Sequence, residues 1–145
     1  MPKKIIDVVQ NTYPLGAKDG VVVGSDGAGE VIEVGTGVKL LKPGDRVTGI
    51  HLQSWQSGPL RAQDIDTAIG GKLDGVLQEY SAFPESGLIK IPRTLNFQQG
   101  STLAIAALTA WNGLYGLTDK RLKADQWVLI QGSGGVSVFA LQVRS

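Results

Sequence analysis

The stretch that decides the fold runs from Gln126 to Gln142 and reads Gln-Trp-Val-Leu-Ile-Gln-Gly-Ser-Gly-Gly-Val-Ser-Val-Phe-Ala-Leu-Gln. The apolar run from Trp127 to Ile130 predicts a short strand buried on both faces of a parallel sheet. A glycine turn follows, and then a helix is predicted by apolar residues at i, i+3, i+4 and i+7: Val136, Phe139, Ala140 and Val143. Strand, glycine turn and helix in this order favour a dinucleotide-binding turn, because the turn brings bare backbone and a helix N-terminus to a pyrophosphate.

The residues of this turn have separate predicted roles. Gly132 is predicted to make the tight bend, and Gly134 to let the backbone approach a phosphate. Ser137 holds the position where the common fingerprint has a third glycine for close packing of helix on strand. A purely structural turn between strand and helix is the alternative interpretation. The acidic residue that usually completes the fingerprint, about 20 positions further on, would fall beyond Ser145.

Composition excludes several classes of protein. The chain is 42% apolar and 19% charged, which is typical of a globular protein. Its 14 basic and 13 acidic residues leave a net charge of +1, so neither nucleic acid nor an anionic membrane is an expected partner. The sequence has no apolar run long enough to span a membrane, and its first residues do not form a secretory signal. The expected localisation is cytoplasmic.

The ionisable residues do not suggest a metal site. The chain has no cysteine, which excludes disulfides and cysteine-based zinc sites. His51 is the only histidine and is interpreted as a surface or hydrogen-bonded side chain. Asp64 and Asp66, two apart on a predicted polar helix, are interpreted as solvated carboxylates that do not form an acid/base pair.

The first 92 residues are predicted to be rich in β-structure. A short helix or turn is expected within residues 1–19, and a polar helix between Leu60 and Ile69. Strands are predicted over residues 21–23, 29–34, 46–50, 76–83 and 88–91, and short strands with such turns suggest a small antiparallel barrel or sandwich. The glycines between Gly24 and Glu30 precede a strand, so they are interpreted as sites of close backbone packing.

The predicted secondary structure changes from strands to helices after residue 92. Asn96 is predicted to cap a helix that begins at Phe97. The segment from Ser101 to Leu114 is dense in alanine and leucine, so it is expected to be a helix buried between two layers. The predicted domains are residues 1–92, a connecting helical segment at 93–125, and the start of a nucleotide-binding domain at 126–145. The fold class is α+β.

Four motifs in one order resemble the medium-chain dehydrogenase/reductases: Gly24–Gly35, Lys42–Val47, Thr102–Trp111 and Val128–Ser137. The resemblance is to the zinc-independent, alcohol-dehydrogenase-like and quinone-oxidoreductase-like branch. It implies a GroES-like β-barrel-type catalytic domain, incomplete at its N-terminus, joined by a buried helix to the first β-α unit of a Rossmann domain. Relative to that family, the chain is expected to be truncated at both ends.

The same resemblance implies NAD(P)-dependent hydride transfer between a nicotinamide cofactor and a small carbonyl, enone or quinone. It places Thr109 near the nicotinamide. It implies that the pyrophosphate is held by Gly132, Ser133, Gly134, Gly135, Val136 and Ser137. NAD and NADP both remain open, with NADP slightly favoured, because the selecting residues would lie past the C-terminus. No residue is implied as the general acid or base.

The resemblance also implies that zinc is not used. Zinc-dependent members have Gly-His-Glu where this chain has Gly24-Ser25-Asp26, so a ligand histidine is replaced by a hydroxyl. They carry a cysteine four residues before the threonine that matches Thr109, and here that residue is Ile105. Polarisation of the substrate would then rest on hydrogen bonds and on the cofactor.

Two other interpretations stay open. The chain by itself is expected to turn over little or no substrate. It could instead be a non-catalytic β-barrel module that associates through the unfinished strand at Trp127 and the apolar face of Val136, Phe139 and Val143. A third interpretation is an incomplete gene product without a function of its own.

Overall fold

A computed structural model describes residues 3–10, 12–119 and 121–144. The chain divides into two compact units, Met1–Ser101 and Thr102–Ser145. Within the described residues, the first unit is built from α1 (Lys3–Val9), β1 (Ala28–Glu30), β2 (Arg46–Gly49), α2 (Ala62–Ile65), a 3₁₀ turn (Glu85–Gly87), β3 (Leu88–Lys90) and α3 (Phe97–Ser101). The short helix expected within the first 19 residues is confirmed by α1.

The three strands form one antiparallel sheet in the order β1-β2-β3. Gly29 lies opposite Val47, and Thr48 lies opposite Ile89. The central strand is the most buried, with Val47 only 7% exposed. Thr48 donates a hydrogen bond from its hydroxyl to the carbonyl oxygen of Gly27 at 2.8 Å. The antiparallel prediction is confirmed, but the sheet of the described residues is open and is not a closed barrel.

Two predicted strands are wrong: neither residues 21–23 nor residues 76–83 form a regular strand. Individual bonds join them instead, because the amide of Gly75 donates to the carbonyl of Val22 at 2.6 Å and that of Leu77 to Val23 at 3.1 Å. Gly24 adopts a positive φ of 96°, which interrupts an extended ladder at this point. The β-propensity of three consecutive valines is therefore overridden by the turn that follows them.

Gly27 lies where the chain packs closely on itself. A Cβ atom at this position would come within 2.7 Å of the Cβ of Val76. Non-bonded contacts this short essentially do not occur, so either Val76 or the backbone would have to shift. The prediction of close backbone packing in the segment from Gly24 to Glu30 is confirmed here.

The interpretation of Asp64 as a solvated carboxylate is wrong. Its side chain is 0% exposed. The Arg61 guanidinium donates to it twice, at 3.0 and 2.8 Å, and the Ser54 hydroxyl donates at 2.8 Å. The hydrogen bonds from Arg61 are the largest cause that lowers the pKa of Asp64, and the bond from Ser54 is the next. Together they hold this pKa well below its usual range, although burial acts to raise it. The helix predicted from Leu60 to Ile69 is shorter in the structure, where α2 spans Ala62–Ile65, and the bond from the Arg61 amide to the Asp64 carboxylate caps its N-terminus.

A second carboxylate fixes the loop ahead of β2. One oxygen of Glu85 accepts hydrogen bonds from three successive backbone amides, those of Lys39, Leu40 and Leu41. The amide of Leu40 makes the closest of these contacts and is the main reason that the pKa of Glu85 is lowered. These three hydrogen bonds hold the loop at residues 39–41 in place without pairing to a strand.

The predicted cap of α3 is confirmed. The side-chain oxygen of Asn96 accepts from the amide of Gln99 at 2.8 Å, and the Gln99 side chain accepts from the amide of Asn96 at 3.0 Å. This reciprocal pair is a capping box. The helix packs against β1 and β2, with the guanidinium of Arg46 4.6 Å from the centre of the Phe97 ring.

The second unit contains, among its described residues, a π-helical turn (Leu103–Ala107), α4 (Leu108–Tyr115) and α5 (Gly135–Arg144). The prediction of one buried helix from Ser101 to Leu114 is wrong in two respects. The π-helical turn interrupts it, and in α4 only Ala110 is buried, while Leu108 is 57% and Trp111 is 52% exposed. The described residues of this unit hold no parallel sheet that could cover the apolar faces of α4. No helix in the described part of the chain is long and apolar enough to cross a membrane.

Candidate cofactor-binding site

The segment from Trp127 to Ile130 leads into the candidate site. It runs without turns but pairs with no strand in the described residues. Trp127 is 95% and Leu129 is 97% exposed, while Val128 and Ile130 are half-buried. The prediction of a strand buried on both faces is therefore wrong for this structure. The face of Val128 and Ile130 is partly covered, and the face of Trp127 and Leu129 is open to solvent.

The turn that follows depends on a glycine. Gly132 has a φ of 82°, in the left-handed region that a residue with a side chain adopts only at a cost. The chain reverses here and brings the start of α5 back towards the end of the extended segment. The Ser137 hydroxyl donates to the carbonyl oxygen of Gln131 at 3.0 Å and so closes the turn from the other side.

The start of α5 presents donors that the helix itself does not use. The first helical hydrogen bond runs from the amide of Val138 to the carbonyl of Gly134 at 3.0 Å. The amides of Gly135, Val136 and Ser137 come before that bond, and they have no backbone acceptor within the described residues. The dipole of α5 adds partial positive charge at the same end. The three unused amide donors and the positive end of this dipole favour the binding of an anion at the start of α5.

Space around the turn differs from one glycine to the next. A Cβ atom at Gly132 or Gly134 would meet nothing within 4 Å, so the backbone is open to an approaching group. At Gly135 a Cβ atom would lie 3.2 Å from the Cβ of Ala106, which shows close packing of α5 on the π-helical turn. The lack of a side chain at Gly134 therefore leaves space for a ligand. At Gly135 it allows α5 to pack closely on the π-helical turn.

Thr109 lies in the first turn of α4 and is exposed. Its helix packs against α5, and the Tyr115 hydroxyl reaches the carbonyl oxygen of Val143 at 3.5 Å. Among the described residues, no hydrogen bond joins Thr109 to the glycine turn. The structure thus places the six residues of the turn in one contiguous surface and puts Thr109 on a neighbouring element.

Two residues of this arrangement were missed by reasoning from the sequence. Gln131 supplies the carbonyl that Ser137 contacts, and Ala106 supplies the surface on which Gly135 packs. The signal for Gln131 lay in the turn itself, because a serine in place of a small glycine adds a hydroxyl that can donate to a nearby backbone carbonyl. The contact of Ala106 with Gly135 joins two segments far apart in sequence, so no local pattern contained it.

The residues discussed for zinc lie apart from this turn in sequence. Ser25 is buried with 8% exposure, Asp26 is exposed and Ile105 is half-buried. In the parts of the chain that the structure describes, no group of three histidine, cysteine or acidic side chains could hold a metal ion.

Comparison with known proteins identifies the first unit. The family described as the alcohol dehydrogenase GroES-like domain matches residues 4–93. A zinc-type alcohol dehydrogenase-like protein of Schizosaccharomyces pombe is 39% identical over 135 residues, which are 93% of this chain and 39% of that protein. The mitochondrial NAD(P)H oxidoreductase RTN4IP1 of Mus musculus is 32% identical over 126 residues, 85% of this chain and 27% of the mouse protein.

A solved structure agrees with these relatives. The alcohol dehydrogenase superfamily protein from Novosphingobium aromaticivorans superposes with a TM-score of 0.76 at 27% identity, over 99% of this chain and 38% of that chain. The chain thus spans less than half of the length of each of these relatives. The family match covers more than half of the chain. The chain therefore belongs to the alcohol dehydrogenase GroES-like domain family, within the medium-chain dehydrogenase/reductase superfamily.

Proposed function

We propose that the chain is part of a zinc-independent, NAD(P)-dependent oxidoreductase that moves a hydride between a nicotinamide cofactor and a small carbonyl, enone or quinone. The observation that carries the proposal is the set of three backbone amides at the start of α5, which lie beside an open glycine turn. The family membership and the NAD(P)H oxidoreductase among the relatives support the same reaction class.

In this proposal the protein supplies binding and orientation. The amides of Gly135, Val136 and Ser137 donate to pyrophosphate oxygens, and Gly134 keeps its side of the turn clear for them. The left-handed conformation of Gly132 sets the direction in which these amides point. The cofactor, once bound, supplies the hydride chemistry. Thr109 is proposed to lie near the nicotinamide, as the family resemblance implies.

The proposal leaves zinc out of the reaction. In place of the family's ligand histidine the chain has Ser25, and in place of its cysteine it has Ile105. Neither a serine hydroxyl nor an isoleucine side chain is an ordinary zinc ligand. The substrate carbonyl would therefore be polarised by hydrogen bonds from the protein and by the electrostatics of the bound cofactor.

We also propose that three segments of the chain have different roles. Residues 1–92 would form the GroES-like catalytic portion, which is supported by the family match over residues 4–93. Residues 93–125 would connect it to the start of the nucleotide-binding domain at residues 126–145. The glycine turn lies in this last segment.

A cofactor titration tests the proposal. NADPH fluorescence is followed as the 145-residue chain is added, and NADH is titrated in parallel. The turn alone contacts only the pyrophosphate, so we expect dissociation constants near about 1 mM. Replacing Gly134 with valine should weaken binding at least about tenfold, because its side chain fills the space that the phosphate needs. The exposed variant Gly29→Ala serves as the control. Equal affinity of Gly134→Val and the natural chain would refute the proposal.

One observation favours a second candidate, a module that associates with another protein surface. Trp127 and Leu129 are almost fully exposed, and large exposed apolar side chains on an unpaired extended segment promote association. The double variant Trp127→Ser, Leu129→Ser should then shift the chain towards a monomer in size-exclusion chromatography with light scattering. A natural chain that is monomeric at 100 μM or above, on the order of the concentrations at which weak contacts form, would rule this candidate out.

A further inference from the structure

The start of α5 is held on a neighbouring helical segment by a close contact. The backbone of Gly135 packs on Ala106 so tightly that a Cβ atom at Gly135 would lie 3.2 Å from the Cβ of Ala106. Outside its own helix and chain neighbours, no other atom of the described residues comes within 4 Å of that point. Because 3.2 Å is shorter than ordinary van der Waals contact between carbon atoms, the two segments could not lie so close if either side chain were larger.

Ala106 belongs to the π-helical turn that precedes α4. The hydrogen bonding of this turn departs from the α-helical pattern, since the amide of Leu108 donates to the carbonyl groups of Ile105 and Leu103. Turns of this kind are rare, interrupt α-helices for a single turn and are frequently found at functional sites. This one lies directly before α4, which carries Thr109 in its first turn.

The contact of Gly135 with Ala106 differs from the hydrogen bond that closes the glycine turn. The bond between Ser137 and Gln131 joins two residues of the segment that carries the amide donors, so it fixes the shape of the turn and not its distance from α4. The contact of Gly135 with Ala106 joins that segment to the helical stretch that continues into α4. It therefore fixes how far the donors lie from Thr109.

We propose that Ala106 is a positioning residue for the cofactor. Its methyl group, packed on Gly135, sets the spacing between the three amide donors at the start of α5 and Thr109 on α4, so that one dinucleotide contacts both. This inference rests on the proposed function, in which the amides hold the pyrophosphate and Thr109 lies near the nicotinamide. Binding groups have to be held within about 0.5 Å of the productive geometry, so residue 106 has to stay small.

Enlarging residue 106 tests the proposal on the full 145-residue chain. Ala106→Val adds two methyl groups on the crowded side of α5, and we expect the dissociation constant of NADPH to rise about tenfold, because the donors are displaced. The matched control is Ala104→Val, the same change in the same turn at a residue that is also half-buried but does not touch Gly135. The control should change the dissociation constant by less than about twofold. Both values come from amide shifts of the 15N-labelled chain during an NADPH titration.

A compensating pair of variants separates positioning from stability. Gly135→Ala places a methyl group against Ala106, which must give by a few tenths of an ångström, and we expect the dissociation constant to rise about threefold. The Tm should not fall, because alanine favours a helix over glycine. Adding Ala106→Gly removes the methyl group at the contact and should restore the dissociation constant, although the new glycine lowers the Tm.

The control for this exchange is Ala104→Gly in the Gly135→Ala background. It costs the helical segment the same propensity but leaves the contact crowded, so the dissociation constant should stay raised. Thermal unfolding of each variant gives the Tm. Affinity and Tm are then expected to move in opposite directions, which a residue that only stabilised the fold would not produce.

The outcomes distinguish the positioning role from the proposed function. If NADPH shifts none of the amides of residues 134–137 in the natural chain, the proposed function fails and the positioning role fails with it. If those amides respond but Ala106→Val binds NADPH as tightly as Ala104→Val does, only the positioning role is overturned. It is also overturned if the dissociation constants follow the Tm values, or if Ala104→Gly restores binding as well as Ala106→Gly does.

Discussion

The hydroxyl of Ser137 donates a hydrogen bond to the carbonyl oxygen of Gln131 at 3.0 Å. This bond ties the first turn of α5 to the residue that precedes the glycine turn. A glycine at position 137 would allow close packing but could not make the bond. In this chain a side-chain hydrogen bond therefore holds the helix to the turn. In the common fingerprint, close packing at a glycine does so.

Removing the hydroxyl should loosen the turn. We expect Ser137→Ala to lower the free energy of unfolding by roughly 0.5–1 kcal/mol, because the lost bond is partly exposed and water replaces some of it. Urea unfolding monitored by circular dichroism measures this change. Ser133→Ala is the matched control and should be neutral, since Ser133 is exposed. An equal loss in both variants would show that the bond to Gln131 contributes nothing specific.

Two glycines of the turn should respond differently to alanine. Gly132→Ala places a side chain at a φ of 82°, and the strain should cost about 1–2 kcal/mol of stability. Gly134 does not have a positive φ and has open space around it, so Gly134→Ala should change stability by less than about 0.5 kcal/mol. Thermal unfolding of the two variants side by side makes the comparison. A larger loss for Gly134→Ala would contradict the described turn.

A similar pair tests the packing of the first unit. Gly27→Ala forces a methyl group to within 2.7 Å of Val76, and the resulting shift should cost about 1–3 kcal/mol. Gly29→Ala, in the same strand region, meets nothing within 4 Å and should be close to neutral. Chemical denaturation distinguishes them. Equal stability of the two variants would show that Gly27 does not pack against Val76.

The buried carboxylate predicts a dependence of stability on pH. The pKa of Asp64 in the folded chain lies below its unfolded value of about 3.9, so the ionised form stabilises the fold. That contribution is fully present above about pH 5 and is lost as the pH falls through the unfolded value towards the lowered folded one. Asp64→Asn should lower the Tm at pH 7 by about 5–10 °C and reduce the slope of Tm against pH in the acid range.

The neighbouring Asp66 provides the control for this experiment, because it is exposed and lies only two residues away. Asp66→Asn should leave both the Tm and its acid slope nearly unchanged. If Asp64→Asn kept the acid slope of the natural chain, another carboxylate would be responsible for it, and the role assigned to the network of Arg61 and Ser54 would be wrong.

Local patterns predicted the local features of this chain. The cap at Asn96, the helix after the glycine turn and the three antiparallel strands each follow from residues close together in sequence. The turn at Gly132 was predicted for the same reason, since a glycine is needed where φ is positive. The proposed roles of the turn residues and of Thr109 in cofactor binding stay predictions.

Features set by distant residues were not predictable. Asp64 is two residues from Asp66 and has the same charge, yet only contacts with Arg61 and Ser54 decide that one is buried and the other is not. The run from Trp127 to Ile130 has the composition of a buried strand, but burial depends on neighbours that no local pattern supplies. The valines at 21–23 make individual bonds to Gly75 and Leu77, far along the chain, and form no regular strand.

The most direct test of the central claim is a map of cofactor binding on the backbone. Amide resonances of the 15N-labelled chain are recorded by NMR while NADPH is added up to on the order of 10 mM, well above the expected dissociation constant. We predict that the largest shifts belong to Gly134, Gly135, Val136 and Ser137, and that they are lost in Gly134→Val. Shifts that leave these four amides unchanged while other residues respond, or no shifts at all, would contradict the account.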